Sequence, residues 1–215
     1  MKAEGCAGQE ISESMTMLSS VLLGGSKYCA ELAYTGKESS HISYANISCV
    51  LMGASSLEAK INEWVSVQER LIKMAEKDGD ADKLPFTTEQ IKTFYSFQRK
   101  TSISEKWNLS IDIGLAERVD IWDEGREPFQ SFSLIYHLRN EITHYKGDFL
   151  GKDEAPTKKL KELMRGFGIK SKASFMEDDA STWINDLLDY NGLGKWVYEK
   201  VNSMHDEYLG TPSKS

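Results

Sequence analysis

Apolar side chains recur at every third or fourth position through much of the chain, which is the spacing of one face of an α-helix. The longest such run covers about seven helical turns. Its apolar positions are Ile47, Val50, Leu51, Ala54, Leu57, Ile61, Trp64, Val65, Leu71 and Ile72. This run predicts a core helix from about residue 40 to residue 76, with Ser39 or Ser40 as its cap and Lys77-Asp78-Gly79-Asp80 as its end.

Three more long helices are predicted from the same periodicity. The first runs from about Ile11 to Ala33, and Gly24-Gly25 should weaken or bend it. The second runs from about Pro128 to Tyr145. The third lies near the C-terminus, and its apolar stripe consists of Leu193, Trp196, Val197, Val201 and Met204.

The segment from Leu84 to Gly125 predicts short helices. Two stretches in it, Thr87-Thr88-Glu89-Gln90 and Ser102-Ile103-Ser104-Glu105, have the form of a capping box, in which a hydroxyl and a later carboxylate or amide satisfy free backbone N–H groups. Pro128 and Pro156 each follow acidic, turn-like sequence. Both prolines are therefore expected in the first turn of a helix, where a missing N–H costs little.

No segment of convincing length alternates apolar and polar residues as a strand does, and no internal repeat is present. The predicted fold class is therefore all-α, an up-and-down helical bundle of four to five main helices with short extra helices. A chain of 215 residues can bury a substantial core. A single domain is expected over residues 11–209, between flexible ends at residues 1–10 and 210–215.

Composition and cysteine usage favour a reduced, unexported globular protein. Hydrophobic residues make up 40% of the chain and charged residues 27%, both near the globular average. The first apolar stretch, Met15 to Leu23, is interrupted by hydroxyl residues and follows acids, which fits neither a membrane span nor a signal peptide. Cys6, Cys29 and Cys49 are too widely spaced for a zinc site or a disulfide framework. A soluble, cytoplasmic protein without a metal or cofactor, and without a membrane partner, is expected.

The net charge of −7 repels phosphate backbones at long range, which argues against indiscriminate coating of nucleic acid. A local basic strip nevertheless runs from Thr157 to Lys172. Its candidate RNA contacts are Lys158, Lys159, Lys161 and Arg165. The alternative interpretation of this strip is an ordinary solvated surface helix.

The predicted helix from Pro128 to Tyr145 has two distinct faces. One is an apolar stripe for packing against the bundle, formed by Phe132, Ile135, Leu138, Ile142, Tyr145 and Phe149. The nearly opposite face carries polar and aromatic groups, namely Ser133, Tyr136, His137, Asn140 and His144. At about 100° per residue, Arg139 falls on the border between the two faces.

This second face offers chemistry that a solvated helix surface does not need. A histidine with an ordinary pKa of about 6.5 exchanges protons near neutrality, and arginine holds a phosphate through a planar fork of donors. Together these groups can act on a phosphodiester without a metal. The alternative is a surface coincidence or a hydrogen-bonded packing device. The signatures of P-loop, zinc-protease and serine-hydrolase chemistry are absent, and the remaining histidines, His41 and His205, are expected at the surface near helix ends.

The stretch Leu138-Arg139-Asn140-Glu141-Ile142-Thr143-His144-Tyr145 resembles the hallmark of the HEPN superfamily. That hallmark is an Arg, a polar residue directly after it, and a His four to six residues beyond the Arg, late on a helix. Two further segments are similar to HEPN proteins: residues 54–63 on the long preceding helix and Gly194-Lys195-Trp196-Val197 near the end. The resemblance covers residues 40 to 209.

The resemblance implies a homodimer in which two copies of the motif helix form one composite cleft. In that picture His144 performs general acid/base catalysis on RNA, Arg139 stabilises negative charge on phosphorus, and Asn140 positions the phosphate or the imidazole. Glu58 and Asn62, one helical turn apart, are candidates to line the cleft or to orient Arg139, with an exposed Glu and a packing Asn as the alternative. Tyr136 and His137 are further candidates to line the site.

The leading hypothesis is a metal-independent endoribonuclease, a toxin or antiviral defence effector with an antitoxin or regulatory protein as a further partner. The first alternative is a non-catalytic dimeric module that binds a nucleotide or a phosphate-bearing ligand. The second is a purely structural dimerising domain. One departure bears on the partner: members paired with a nucleotidyltransferase antitoxin resemble Arg-x4-His-x-Tyr, whereas here Tyr145 directly follows His144 and Lys146 comes next. Silencing through a motif tyrosine is not expected.

Overall fold

The computed structural model describes residues 17–79, 102–107, 125–144, 156–170 and 182–209, with side chains up to residue 206. These residues contain helices and turns and no strand, which confirms the all-α prediction. The helices with defined bounds are α1 (Leu18–Thr35), α2 (Ser39–Asp78), α3 (Phe129–Thr143), α4 (Lys158–Gly166), α5 (Trp183–Leu188) and α6 (Leu193–Leu209). The expected flexible ends, residues 1–10 and 210–215, lie outside the described residues.

Helix α2 is the central element, and it packs against α1, α3, α5 and α6. Its bounds confirm the predicted long helix. Gly79 ends it with a φ of 75°, and the Gly79 N–H donates to the Ala75 carbonyl. Glycine adopts this left-handed conformation without the steric cost that other residues bear. The predicted serine cap is wrong: Glu38 occupies the cap position without a side-chain hydrogen bond, and Ser39 is already helical.

Helix α1 runs antiparallel to α2. It continues without interruption through Gly24-Gly25, where a weakening or a bend was expected. A Cβ on Gly25 would lie 2.6 Å from the Met52 sulfur, which shows that glycine here permits close approach of the two helices. The expected start at Ile11 lies outside the described residues. Helix α1 begins instead at Leu18 and extends past Ala33 to Thr35.

The first turn of α1 is capped by a side chain from α2. Glu63, a buried residue, accepts hydrogen bonds from the Ser19 backbone N–H at 2.8 Å and from the Ser19 hydroxyl at 2.5 Å. A carboxylate suits this position because the amino end of a helix carries free N–H groups and partial positive charge. A tertiary contact thus replaces the local cap that α1 lacks.

Helix α6 packs in the angle between α1 and α2. The predicted stripe is confirmed, since Leu193, Val197, Val201 and Met204 have no exposed surface, while Trp196 is partly buried. The three helices meet at Gly53, where a Cβ would lie 3.2 Å from methyl groups of Val197 and Val201.

The turn between α5 and α6 is fastened to α2 by Asn46, a fully buried residue. Its Nδ2 donates to the Leu188 carbonyl at 2.6 Å and to the Tyr190 carbonyl at 2.9 Å. Its Oδ1 accepts from the Gly194 N–H at 2.8 Å. One side chain therefore bonds three backbone groups, and of these the Tyr190 carbonyl also accepts from the Leu193 N–H.

The buried thiols contribute to packing. Cys29 and Cys49 are free cysteines inside the core, and burial raises the pKa of Cys49 to about 11. The Cys49 thiol donates to the Gly194 carbonyl at 3.3 Å. Cys6 lies outside the described residues. A raised thiol pKa leaves little thiolate at neutral pH, so these cysteines are poor nucleophiles.

The proline and capping-box predictions have mixed outcomes. Pro128 takes the cap position of α3, and Pro156 precedes the Thr157 cap of α4, so both prolines lie just before a helix and not in its first turn.

The second capping box is confirmed: the Ser102 N–H donates to Glu105 at 2.8 Å, and the Glu105 N–H donates to the Ser102 hydroxyl at 3.3 Å. The first box, at residues 87–90, lies outside the described residues, as does most of the segment 84–125.

Candidate functional site

Helix α3 presents its apolar stripe to the bundle as predicted. Phe132, Ile135 and Leu138 have no exposed surface, and Ile142 is partly buried against the same core. The two remaining stripe positions, Tyr145 and Phe149, lie outside the described residues. The packing of this stripe fixes the rotation of α3 about its axis, and so it fixes which motif side chains reach the surface.

Tyr136 lies on the packed side of α3, although the helical wheel puts it on the polar face. Its hydroxyl donates to the Ala54 carbonyl of α2 at 2.8 Å, and its ring centroid lies 4.7 Å from that of Phe132. Burial strongly raises the pKa of the phenol. The hydroxyl thus reaches an acceptor on α2. Tyr136 therefore joins α3 to α2 and is not free to receive a ligand.

The three motif residues project from the last turn of α3. Arg139 is partly buried, and its Nη1 donates to the exposed Asn140 Oδ1 at 3.0 Å. His144 ends the helix: its backbone N–H donates to the Asn140 carbonyl at 2.9 Å, and its side chain is exposed. The Thr143 hydroxyl donates to the Arg139 carbonyl at 2.9 Å, which closes the end of the helix. The structure thus places a guanidinium, an amide and an imidazole together at one helix end.

His137, Asn140 and His144 follow one another at spacings of three and four, so they share one face of α3. All three are exposed. At 1.5 Å of rise per residue, His137 and His144 stand about 10 Å apart along the helix. Their backbone positions are therefore two helical turns apart.

Glu58 of α2 lies close to the motif. After burial, the next contribution to the raised pKa of Tyr136 is the negative charge of Glu58, and the positive charge of Arg139 lowers that pKa by a smaller amount. Both charged groups therefore lie near the Tyr136 hydroxyl. Glu58 is exposed. Asn62, one turn further on, has another role, since its Oδ1 accepts from the Lys106 ammonium at 3.0 Å. The structure therefore brings Glu58 to the motif and commits Asn62 to a neighbouring segment.

Helix α4 carries the four basic candidates for RNA contact. Lys158, Lys159, Lys161 and Arg165 are exposed, while Leu160 and Met164 anchor the helix in the core. The Lys159 ammonium donates to the Ser133 hydroxyl at 3.1 Å, which ties α4 to the beginning of α3. Eleven residues separate Ser133 from His144, a distance of about 16 Å along the helix. The basic strip thus lies toward the opposite end of α3 from the motif. Lys172 lies outside the described residues.

A groove of about 520 Å³ opens between α3, α4 and α6. Its walls include Leu134, Leu163 and Trp196, and its charged lining residues are Glu127, Glu162 and Lys159. Glu127 forms an ion pair with Lys200 at 3.1 Å. The two lysines offset the two carboxylates, so the charge of this groove neither favours nor excludes a phosphate ligand.

The predicted surface position of His205 is wrong. Only 7% of the residue is exposed, and its Nε2 lies 3.3 Å from the Ser56 hydroxyl. Burial lowers its pKa to about 4, with a smaller contribution from the charge of Lys60. The expectation for His41 is confirmed, since its imidazole is exposed and lies 3.6 Å from Glu38. The signal missed for His205 was its place on the α6 stripe, four residues after Val201.

Within the described residues, no cluster of three or more His, Cys, Asp and Glu side chains could hold a metal ion. No helix in that part of the chain is long and apolar enough to cross a membrane. Comparison with protein-family models, with curated proteins and with solved structures gave no match to this chain.

Proposed function

We propose that the chain is a HEPN-like, metal-independent endoribonuclease whose site is the carboxyl end of α3. The observation that carries the proposal is the grouping of Arg139, Asn140 and His144 at the carboxyl end of α3. Arg139 and Asn140 are hydrogen-bonded to each other, and the His144 side chain is exposed at the end of the same helix. The core supports this helix end from behind, which leaves the polar groups available to a substrate.

The reaction uses the substrate's own nucleophile. A neutral imidazole takes the proton of a ribose 2′-hydroxyl, whose oxygen then attacks the adjacent phosphorus. The bond from phosphorus to the 5′-oxygen breaks, and a protonated imidazole donates a proton to that oxygen. The products are a 2′,3′-cyclic phosphate and a 5′-hydroxyl, and DNA resists because it lacks the nucleophile. Each proton transfer of this kind contributes about 10²- to 10⁴-fold.

Arg139 stabilises the additional negative charge that develops on the phosphoryl oxygens. A guanidinium can donate two hydrogen bonds to neighbouring phosphate oxygens, and it stays protonated throughout the reaction. Asn140 holds the guanidinium through its Oδ1, so it positions Arg139 as well as offering its own amide donors to the phosphate.

The two proton transfers are divided between two groups, and among the described residues of the motif His144 supplies one of them. The backbone of His137 is displaced by about 10 Å along the helix from that of His144, so His137 is less well placed to serve as the second. A second copy of the chain, contributing its own His144 and Arg139, completes the site. The proposal therefore includes a homodimer with a composite cleft.

The alternative function, a non-catalytic dimer that binds a nucleotide or phosphate-bearing ligand, would use the same Arg139 and Asn140 donors. A ligand that binds only the folded state raises the unfolding midpoint, so a nucleotide-dependent rise in Tm with intact RNA would support the alternative.

Cleavage of a labelled RNA in the presence of EDTA tests the proposal. We expect cyclic-phosphate ends from RNA, no cleavage of the matching DNA, and a loss of about 10²- to 10⁴-fold in rate for His144→Ala. His41→Ala is the matched control, because His41 is exposed and remote from α3, and its rate should equal that of the wild type. Equal rates for His144→Ala and wild type would contradict the assignment.

Bacterial growth tests the toxin or defence role. Bacteria that express the wild type should grow more slowly, and His144→Ala should relieve that effect.

A further inference from the structure

The groove between α3, α4 and α6 has aromatic walls that the proposed cleavage chemistry does not use. Phe167 and Trp196 line it, and their ring centroids lie 6.0 Å apart in an edge-to-face arrangement. Phe167 also stacks on Tyr190, with 4.8 Å between the two ring centroids. All three rings are partly buried against the core, so packing fixes their positions while part of each lining ring stays accessible.

Polar groups stand at the edge of this aromatic surface. The groove volume of about 520 Å³ lies within the range of small-molecule sites. Gln130 lines the groove, and its Nε2 donates to the Gly125 carbonyl at 2.8 Å, which holds the amide in place. A primary amide has a second N–H donor and an acceptor oxygen besides that bond. Glu162 also lines the groove, and a carboxylate accepts from the exocyclic amino group of a base.

The balanced charge of the groove suits a neutral ligand. Glu127 and Glu162 are offset by Lys159 and Lys200, and Lys200 pairs with Glu127 at 3.1 Å. A purine or pyrimidine base is neutral and planar, and its edge carries donors and acceptors. Proteins recognise unpaired bases by stacking them on aromatic rings and by hydrogen-bonding their edges. The groove offers both kinds of contact.

The outer face of α4 supplies positive charge next to the groove. Lys158, Lys161 and Arg165 share this face because they lie at spacings of three and four, and all three are exposed. Each of them directly precedes a residue that lines the groove, namely Lys159, Glu162 and Gly166 in the same order. One residue turns an α-helix by about 100°, so the basic face borders the groove.

We propose that this groove holds an unpaired base of a single-stranded RNA, with the neighbouring phosphates on the outer face of α4. The base stacks on the aromatic wall, and its edge bonds the Gln130 amide. The Arg165 guanidinium can donate two hydrogen bonds to one phosphate, while Lys158 and Lys161 act as point charges. A base that is paired within an RNA helix cannot enter the groove, so the site selects single-stranded RNA.

The groove lies a few nucleotides from the motif. Leu134 in its wall and Asn140 are six residues apart, about 9 Å along α3. A stacked strand advances about 3.4 Å per nucleotide, so roughly three nucleotides span this distance. This step rests on the proposed function, because it makes the groove a subsite for a base near the cleaved bond, whereas base binding itself does not.

Binding of a fluorescently labelled single-stranded RNA of about 12 nucleotides to the full chain tests the proposal. Every sample carries His144→Ala, so that the RNA stays intact. A Cβ on Gly166 would meet nothing within 4 Å, so Gly166→Phe places a ring at the groove without a clash at its Cβ. We expect this variant to bind at least about 10-fold more weakly, which is the loss expected when one base–aromatic stack is removed.

Gly24→Phe is the matched control. A Cβ on Gly24 also meets nothing within 4 Å, and α1 does not line the groove, so this variant should bind RNA with unchanged affinity. Gln130→Ala is the second variant if Gly166→Phe fails to fold. Gln130 is exposed, and the loss of its hydrogen bond to the base should weaken binding roughly 3- to 10-fold.

Salt dependence tests the phosphate contacts on α4. Each phosphate contact contributes about −0.7 to the slope of log affinity against log salt for a single strand. The combined variant Lys161→Gln and Arg165→Gln should therefore reduce the magnitude of this slope by about 1.4. An unchanged slope would remove the phosphates from the outer face of α4.

The proposal is overturned if the single strand does not bind, or if Gly166→Phe binds it as tightly as the chain with Gly166. Equal affinity for the same sequence in a duplex would overturn it too. So would displacement of the RNA by polyglutamate as readily as by unlabelled RNA, since the outer cations alone would then be binding. AMP or UMP bound as tightly as the oligonucleotide would assign the groove to a free nucleotide instead.

Cleavage of the same RNA by the chain that retains His144 separates this proposal from the proposed function. A single strand that binds through the groove and stays intact retains the base site and refutes the nuclease. Cleavage of the RNA together with undiminished binding by Gly166→Phe does the reverse.

Discussion

The inner side of the bundle and the motif end of α3 use the same residue types in opposite ways. Asn46, His205 and Glu63 are buried, and each is hydrogen-bonded to a group on another helix or at its end. Their counterparts near the motif, Asn140, His144 and Glu58, are exposed. A buried polar group stabilises the fold only while its partners are present, whereas an exposed one can exchange water for a substrate.

Asn46 and Asn140 should differ most in how much they contribute to the free energy of unfolding. Asn46→Ala should lower the free energy of unfolding by about 3 kcal/mol, because it removes three hydrogen bonds inside the core, including those of the Gly194 N–H and the Leu188 carbonyl. Asn140→Ala should change it by less than about 0.5 kcal/mol. Urea unfolding followed by circular dichroism measures both. Similar losses in the two variants would remove the distinction between the two regions.

The histidines provide a contrast in pH dependence. The pKa of His205 is lowered to about 4 by burial, whereas a histidine in the unfolded chain has an ordinary pKa near 6.5. Between these values the unfolded chain binds a proton that the folded chain excludes, so stability is full above about pH 6.5 and falls as the pH drops toward 4. The shift is equivalent to at most about 3 kcal/mol.

Unfolding measured at several pH values tests this contribution. His205→Gln should flatten the stability profile between about pH 6.5 and 4, because its amide does not titrate in that range. His144→Gln should unfold with about the same free energy as the wild type at neutral pH, since the side chain it replaces is exposed. A wild-type profile that His205→Gln leaves intact would assign the acid sensitivity to other groups.

Sequence periodicity predicted the helices well because the apolar stripes are local. The stripes on α2, α3 and α6 each needed only the spacing of neighbouring residues. Most of their described members are buried or partly buried, whereas Leu71 on α2 is 47% exposed. It failed where a distant element decides the outcome. Tyr136 was assigned to the polar face, but the Ala54 carbonyl on α2 supplies its acceptor. A helical wheel carries no information about that contact.

The capping of α1 shows the same limit. Its cap comes from Glu63, 44 residues further along the chain, so no local motif marks it. Asn46 and His205 did leave a signal, because each occupies a position on an apolar stripe: Asn46 is four residues from both Ile42 and Val50. A polar residue inside a stripe predicts a buried group with a specific partner, and the sequence does not identify that partner.

Glu63 and Glu58 should differ least in their contribution to the free energy of unfolding. Glu63→Gln should lower the free energy of unfolding by about 1 kcal/mol, because a neutral amide interacts less favourably with the amino end of α1 and accepts weaker hydrogen bonds. Glu58→Gln should leave stability within about 0.5 kcal/mol of wild type, since the side chain is exposed. On the proposed function, loss of this carboxylate near Tyr136 should reduce RNA cleavage several-fold. Thermal unfolding and cleavage rates measured on both variants separate the two roles, and a Glu58→Gln variant with an unchanged cleavage rate would show that the Glu58 carboxylate takes no part in the site.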